Sequence, residues 1–129
     1  MDDLKVAFCK LMTSKPFGDQ LVVLDDKSIQ DLASRLAKVA RQPTRIILFG
    51  SYAQGTADQS SDLDLLVIEE SLDDKAGEYM RLRAALGELP TGVDLLLLSR
   101  HDFERRSQVK GTLPYRAHHE GRVLHDEIA

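Results

Sequence analysis

Several classes of protein are excluded by what this sequence lacks. Its single cysteine, Cys9, has no partner for a disulfide within the chain, and no cysteine-based zinc site can form. Tryptophan is absent and aromatic residues make up only 5% of the chain, which leaves no platform on which nucleic-acid bases could stack. The net charge of −4 provides no Lys/Arg surplus for gripping a phosphate backbone, so we expect no direct DNA binding.

Long apolar runs are absent as well. No stretch reaches the roughly 20 residues of a membrane span, and the N-terminal MDDLKVAFCKLMTSKP is too charged for a signal peptide. We therefore expect a cytoplasmic protein without membrane association. A chain of 129 residues is the usual size of one domain, so we predict a single domain over residues 1–129, in which residues 1–26 form an extension of unassigned role.

The chain alternates between helix-like and strand-like segments, which predicts an α/β fold. The spacing of apolar residues predicts helices at 4–12, 28–41, 72–89, from 99 to about 109, and 113–120. It predicts strands at 45–49, 63–68, 93–98 and 123–124, and it leaves 21–24 open as a strand or a buried loop. Three Ser-x-x-Asp pairs resemble helix caps, and they begin at Ser28, Ser71 and Ser99.

Two aspartates interrupt the second predicted strand, in the stretch LFGSYAQGTADQSSDLDLLV (residues 48–67). Because side chains alternate along a strand, Asp62 and Asp64 point the same way, and the leucines between and after them point into the core. The next strand, GVDLLLLS, carries Asp94, which would stand beside the pair if the two strands are neighbours. Three carboxylates that close repel one another, and a hard divalent cation is the common remedy. The pattern therefore predicts a metal site.

The dipeptide Gly50-Ser51 predicts an anion site that would complement the metal site. A glycine lets the backbone approach a ligand closely, and the serine offers a hydroxyl and an N–H at a tight turn, where an anion can bind. A phosphate near Ser51 and a metal on the three aspartates would together form a nucleotide–metal site. Such a site predicts phosphoryl or nucleotidyl transfer with two metal ions.

These motifs together resemble those of the polymerase-β-like nucleotidyltransferase superfamily. The shared pattern is Gly-Ser, ten intervening residues, then Asp-x-Asp followed by hydrophobic residues, and the whole stretch is similar to the minimal MNT branch. The third acidic residue of the family falls on Asp94. The resemblance covers roughly residues 28–125 and implies a nucleotidyltransferase fold of the α/β (α+β) class, with a small mixed sheet and helices packed on it. One departure is Gln54, where members of the family often carry arginine.

The resemblance also implies an activity and a partner. Asp62, Asp64 and Asp94 would be the catalytic residues and would bind two Mg²⁺ ions, whereas Gly50 and Ser51 would bind the nucleotide, with ATP as the donor. Minimal members are usually paired with a separate HEPN protein that resembles an RNA-cleaving toxin. The chain is then expected to be an antitoxin in a hetero-oligomer, transferring AMP from ATP to a tyrosine or other hydroxyl of the toxin and releasing pyrophosphate.

Other functions stay open at this point. The chain could be an antitoxin that neutralises its partner by binding alone, or a transferase acting on a small molecule of the antibiotic type, although it lacks the acceptor domain of such enzymes. The basic run Arg105, Arg106 and Lys110 is interpreted as a solvated helix face, with contact to a triphosphate or a partner as the alternative.

Overall fold

The computed structural model describes residues 23–128, which form four strands and five helices. The predicted helix at 4–12 and the first half of the 21–24 run lie outside these residues. In chain order the elements are α1 (Asp26–Val39), β1 (Thr44–Phe49), α2 (Ser51–Gln54), β2 (Leu63–Glu69), α3 (Lys75–Leu86), β3 (Val93–Ser99), α4 (Arg100–Arg106), α5 (Leu113–Glu120) and β4 (Arg122–Asp126).

The sheet is mixed, with the strand order β3-β2-β1-β4. Strand β1 runs antiparallel to both of its neighbours, β2 and β4, and β2 runs parallel to β3. The predicted short strand at 123–124 is present as the longer β4, and its pairing with β1 shifts register between Ile46 and Ile47. The mixed sheet with packed helices confirms the predicted fold class.

Each face of the sheet carries its own apolar core because side chains alternate along the strands. On one face, Leu65 and Val67 of β2 pack with buried residues of α1 and α3, such as Leu36 and Leu82. The opposite face carries a second core, which joins the strands to α4, α5 and the C-terminal end; its buried members are Ile47, Phe49, Leu66, Ile68, Leu98, Phe103, Ala117 and Ile128. Asp64 shares the second face, since it alternates with Leu65.

Helix α1 begins two residues earlier than predicted, because a different residue caps it. The side chain of Asp25 accepts a hydrogen bond from the backbone N–H of Ser28, at 2.8 Å, so the capping box expected from Ser28 and Asp31 is wrong. Asp31 instead lies within the helix and pairs with Lys27. An aspartate three residues before Ser28 can reach the free N–H groups of the first turn, which Ser28 inside that turn cannot.

Helix α3 is shorter than the predicted 72–89. Asp74, and not Ser71, is its N-cap, since the Asp74 side chain accepts from the N–H of Gly77 at 3.1 Å. The helix ends at Gly87, which has φ +66°, a left-handed conformation that glycine adopts at little cost. Helix α4 has the predicted cap, with Ser99 accepting from the N–H of Asp102, but it ends at Arg106 and not at 109.

Candidate active site

Asp64 and Asp94 stand opposite each other in the parallel pairing of β2 with β3. The Asp64 side chain is partly buried, and the pKa of its carboxyl is raised to about 6. Burial is the largest cause; a hydrogen bond with the Asp94 carboxyl and the negative charges of Asp94 and Asp62 act in the same direction, whereas the Arg116 guanidinium opposes them. The two strands therefore hold the Asp64 carboxyl beside a second acidic side chain, which disfavours its ionised form.

Asp62 lies one residue before β2 and is exposed. A Cβ atom added at Gly92 would lie 2.5 Å from its Oδ1, so the Asp62 carboxylate rests against the turn that precedes β3. Within residues 23–128, no three acidic, histidine or cysteine side chains are arranged closely enough to form a metal site. The structure thus brings Asp64 and Asp94 together and places Asp62 beside them, outside direct contact.

Gly50 joins β1 to α2 and lies against the Asp64 side chain. Its φ of +76° and ψ of −156° lie in a region that is essentially restricted to glycine. A Cβ atom at this position would also collide with Oδ2 of Asp64. The backbone of the Gly-Ser turn therefore approaches the Asp64 carboxyl as closely as the absence of a side chain allows.

Ser51 follows as the first residue of α2 and is partly buried. Its carbonyl accepts from the N–H of Thr56 at 3.0 Å, but within the described residues its hydroxyl has no hydrogen-bond partner. Gln54, at the other end of α2, donates from Nε2 to the carbonyl of Glu120 at 3.3 Å. The serine hydroxyl is thus available for a ligand, and the glutamine links the turn to the end of α5.

A cavity of about 400 Å³ opens beside the two carboxyls. Phe49, Leu96 and Leu113 form much of its apolar wall, and Tyr79, Arg83 and Arg116 add polar groups; Asp64, Asp94, Val93 and Leu95 complete the lining. The basic run predicted as a possible ligand contact does not line this cavity, and Arg105 pairs with Asp102 at 3.1 Å.

Sequence reasoning missed the helical residues of this cavity. Tyr79 and Arg83 come from α3, and Leu113 and Arg116 come from α5. No motif marks these positions, since an arginine on a helix is ordinarily a surface charge. Only the packing of both helices around the ends of β2 and β3 brings them to the carboxyls.

The donor set at this end of the sheet fits a hard divalent cation. The candidate ligands are carboxylate oxygens, which Mg²⁺ prefers, and they occur where repulsion between Asp64 and Asp94 would be relieved by a positive charge. The apolar and basic walls of the cavity leave room for a phosphate-bearing ligand next to them. None of the helices in residues 23–128 combines the length and hydrophobicity that a bilayer crossing requires.

The chain belongs to the nucleotidyltransferase domain family, which matches residues 26–117. One curated relative is the Methanocaldococcus jannaschii protein named "Putative protein adenylyltransferase MJ1305". The two are 41% identical over 54 residues, a stretch that makes up 38% of this chain and 37% of the relative. The similarity to this relative therefore spans little more than a third of either protein.

Solved structures share the fold. A toxin–antitoxin structure with AMP-PNP is 26% identical and has a TM-score of 0.52, covering 75% of this chain and 73% of that one. A toxin–antitoxin structure of MntA and HpeT is 25% identical with a TM-score of 0.51, and the match covers 80% of this chain and 74% of that one. It carries two Asp-to-Glu substitutions two positions apart, which is the spacing of Asp62 and Asp64. A Sulfolobus solfataricus structure, 18% identical with a TM-score of 0.50 and covering 74% of each chain, shows a likeness in fold alone.

Proposed function

We propose that this chain is a Mg²⁺-dependent nucleotidyltransferase and the antitoxin of a pair, which transfers AMP from ATP to a tyrosine or other hydroxyl of a HEPN-type toxin. The observation that carries the proposal is the contact of Gly50 with Asp64, opposite Asp94, beside a cavity of about 400 Å³. Membership of the nucleotidyltransferase domain family supports the reaction class. The likeness to toxin–antitoxin structures, one of them with AMP-PNP, supports the partner and the nucleotide.

Each candidate residue has a role in this reaction. Asp62, Asp64 and Asp94 would hold two Mg²⁺ ions, and Gly50 and Ser51 would bind the β- and γ-phosphates through backbone N–H groups and the serine hydroxyl. Held there, Mg²⁺ would supply positive charge to offset the triphosphate and would make an acceptor hydroxyl easier to deprotonate. The acceptor oxygen forms a bond to the α-phosphorus while the bond to pyrophosphate breaks, and Asp94 helps to remove the hydroxyl proton.

A binding-only antitoxin is the second candidate function. The observation that favours it is Gln54, which stands where the resemblance expects an arginine and whose side chain is engaged with the Glu120 carbonyl. A neutral side chain held in this way contributes no charge to phosphate binding. In this alternative the chain covers its partner, and catalysis is secondary.

The mass of the partner distinguishes the two candidate functions. The chain is expressed with the product of the adjacent gene, and the partner is measured by intact-mass spectrometry. We expect a mass gain equal to one or more AMP groups with the wild type and none with Asp64→Asn, which keeps the shape of the side chain but removes its charge. Asp73→Asn is the matched control, because Asp73 is an exposed aspartate outside the cavity, and it should modify the partner as the wild type does.

Each outcome has a distinct meaning. A mass gain that persists with Asp64→Asn would show that the proposed catalytic site is wrong. A partner that stays unmodified, yet is neutralised equally by all three chains, would establish the binding-only antitoxin.

A further inference from the structure

Arg116 is a cation beside the carboxyl pair, and in the described part of the chain its side chain makes neither a hydrogen bond nor a close ion pair, although its charge acts on Asp64 from a distance. It lines the cavity together with Asp64 and Asp94, on α5. Most arginines in residues 23–128 form a hydrogen bond or an ion pair through their side chains; these are Arg35, Arg41, Arg45, Arg81, Arg83, Arg100, Arg105 and Arg122. The Arg116 side chain makes no hydrogen bond or ion pair within residues 23–128, so its donors face the cavity unused.

The second arginine of the cavity is already engaged by the scaffold. Arg83 donates from Nη1 to the carbonyl of Val93 at 2.9 Å, which ties α3 to the start of β3. Arg106 is unpaired within residues 23–128 as well, but it does not line the cavity. In the described structure, Arg116 is therefore the arginine that combines free donors with a position beside the carboxyls.

A helix cap and tight packing fix the position of helix α5, and with it the backbone of Arg116. The hydroxyl of Thr112 caps the helix by accepting from the N–H of Tyr115 at 3.2 Å, and Pro114 and Ala117 are buried. At its end, Gly121 packs so tightly that an added Cβ would collide with the Ala117 carbonyl and the Ile47 side chain. The backbone that carries Arg116 is thus fixed against β1.

The charges around Arg116 point to a phosphate ligand. Three carboxylates at this end of the sheet repel an anion, and Mg²⁺ alone would have to offset both them and a triphosphate. A guanidinium presents five N–H donors in a planar fork that matches the oxygens of a phosphate. An arginine that is close to the acidic residues, but bonded to none of them, retains this fork for a ligand.

We infer that Arg116 binds the phosphate chain of the nucleotide and so acts as a substrate-binding residue contributed by the C-terminal helix. This inference rests on the proposed function, since it assigns one more contact to the same nucleotide. It adds a residue that lies outside the Gly-Ser and Asp-x-Asp motifs. It also offers a source for the positive charge that Gln54 does not provide.

The test is ATP binding to the full chain in the presence of Mg²⁺, measured by titration calorimetry. We expect Arg116→Ala to raise the Kd for ATP by about tenfold or more, the loss typical of a hydrogen-bonded charge pair. Arg116→Lys keeps the charge without the fork and should restore part of the affinity. Arg106→Ala, the control for an equally unpaired arginine, should bind ATP as the wild type does.

Inorganic tripolyphosphate identifies the part of the nucleotide that is bound. It should displace ATP from the wild type, and its own Kd should rise for Arg116→Ala by a similar factor. The thermal unfolding midpoint should stay at the wild-type value, because the Arg116 side chain is exposed and bonds to nothing that the structure describes.

Three results would contradict, in turn, the role of Arg116, its contact with phosphate and the proposed function. Unchanged ATP affinity in Arg116→Ala would overturn the role of Arg116 and leave the proposed function standing. Weaker ATP binding with unchanged tripolyphosphate binding would place the contact on the base or sugar and overturn the phosphate assignment. A wild type that binds neither ligand would remove the proposed function itself, and the inference with it.

Discussion

At the scale of single residues, Gly50 carries the strongest local constraint on the site. It adopts a backbone conformation that other residues rarely adopt, and the space of its missing side chain is occupied by the Asp64 carboxyl. These are two separate obstacles to substitution. Gly55, five residues later, has only the conformational obstacle: its φ is +78°, but an added Cβ would meet nothing within 4 Å.

Substitution of these glycines should therefore have unequal effects. We expect Gly55→Ala to lower the free energy of unfolding by about 1 kcal/mol, the cost of a left-handed alanine. Gly50→Ala should cost about 2–4 kcal/mol, because conformational strain and the displacement of Asp64 add. It should also abolish ATP binding in the calorimetric assay, whereas Gly55→Ala should retain it. Denaturant unfolding measures the stabilities, and equal losses for the two variants would contradict the close approach to Asp64.

At the scale of secondary-structure elements, β2 ends in a buried acidic pair with α3. Glu69, at the last position of β2, is 1% exposed and faces Glu78 of α3, which is 5% exposed. The pKa of Glu69 is raised to about 8, chiefly by burial and also by the neighbouring Glu78 carboxyl and its negative charge. Glu78 is satisfied by Arg81 at 2.8 Å and by the N–H of Arg41 at 3.0 Å. Within the described residues, no N–H or O–H group donates to either oxygen of Glu69, so its buried carboxyl is favoured in the neutral form.

This pair should make the stability of the fold depend on pH. Between about pH 4.5 and 8 the folded chain retains a proton on Glu69 that the unfolded chain releases, so stability falls as pH rises across this window. We expect Glu69→Gln, which donates at any pH, to flatten this fall and to exceed the wild type by about 1–3 kcal/mol above pH 8. Glu70→Gln, the exposed neighbour, should follow the wild type. Unfolding midpoints from pH 5 to 9 measure the effect, and parallel curves for all three proteins would contradict it.

At the scale of the whole molecule, the site depends on the docking of α5 against β1. Gly121 permits this contact, because an added Cβ would collide with the Ala117 carbonyl and the Ile47 side chain. Its φ of −81° is accessible to any residue, so the requirement for glycine is one of packing alone. Helix α5 packs in the second core and also carries Arg116. The packing of that core therefore sets where Arg116 lies relative to the site.

Gly121→Ala should therefore reduce both stability and ligand binding. We expect a loss of about 1–3 kcal/mol in the free energy of unfolding, as is typical for overpacking, together with weaker ATP binding as Arg116 shifts. Gly111→Ala serves as the comparison, because an added Cβ there meets nothing within 4 Å and only its φ of +87° is strained. It should lose stability without losing affinity. Retention of wild-type ATP affinity by Gly121→Ala would show that the placement of α5 does not matter for the ligand.

Much of this molecule could be predicted from the sequence, because the deciding forces act over short distances along the chain. Strand alternation placed Asp64 on the face opposite Leu65, and the register of β2 with β3 sets it opposite Asp94 as expected. The Gly50-Ser51 turn follows from the abrupt end of an apolar run, whereas the approach of its backbone to a nucleotide stays a prediction. The order of the strands and helices from residue 28 onward follows from apolar periodicity.

Helix ends and the contacts between elements could not be predicted in the same way. Asp25, and not the expected Ser28, caps α1 because both residues can act as caps, and the backbone geometry of the first turn selects between them. The contact between Glu69 and Glu78 and the position of Arg116 depend on how helices pack across the sheet. The spacing of these residues in the sequence follows no helix or strand period, so it does not predict the contacts. The sequence by itself determined which residues share a strand face. Only the tertiary structure decided which distant side chains complete the site, because that choice depends on how two apolar cores dock their helices.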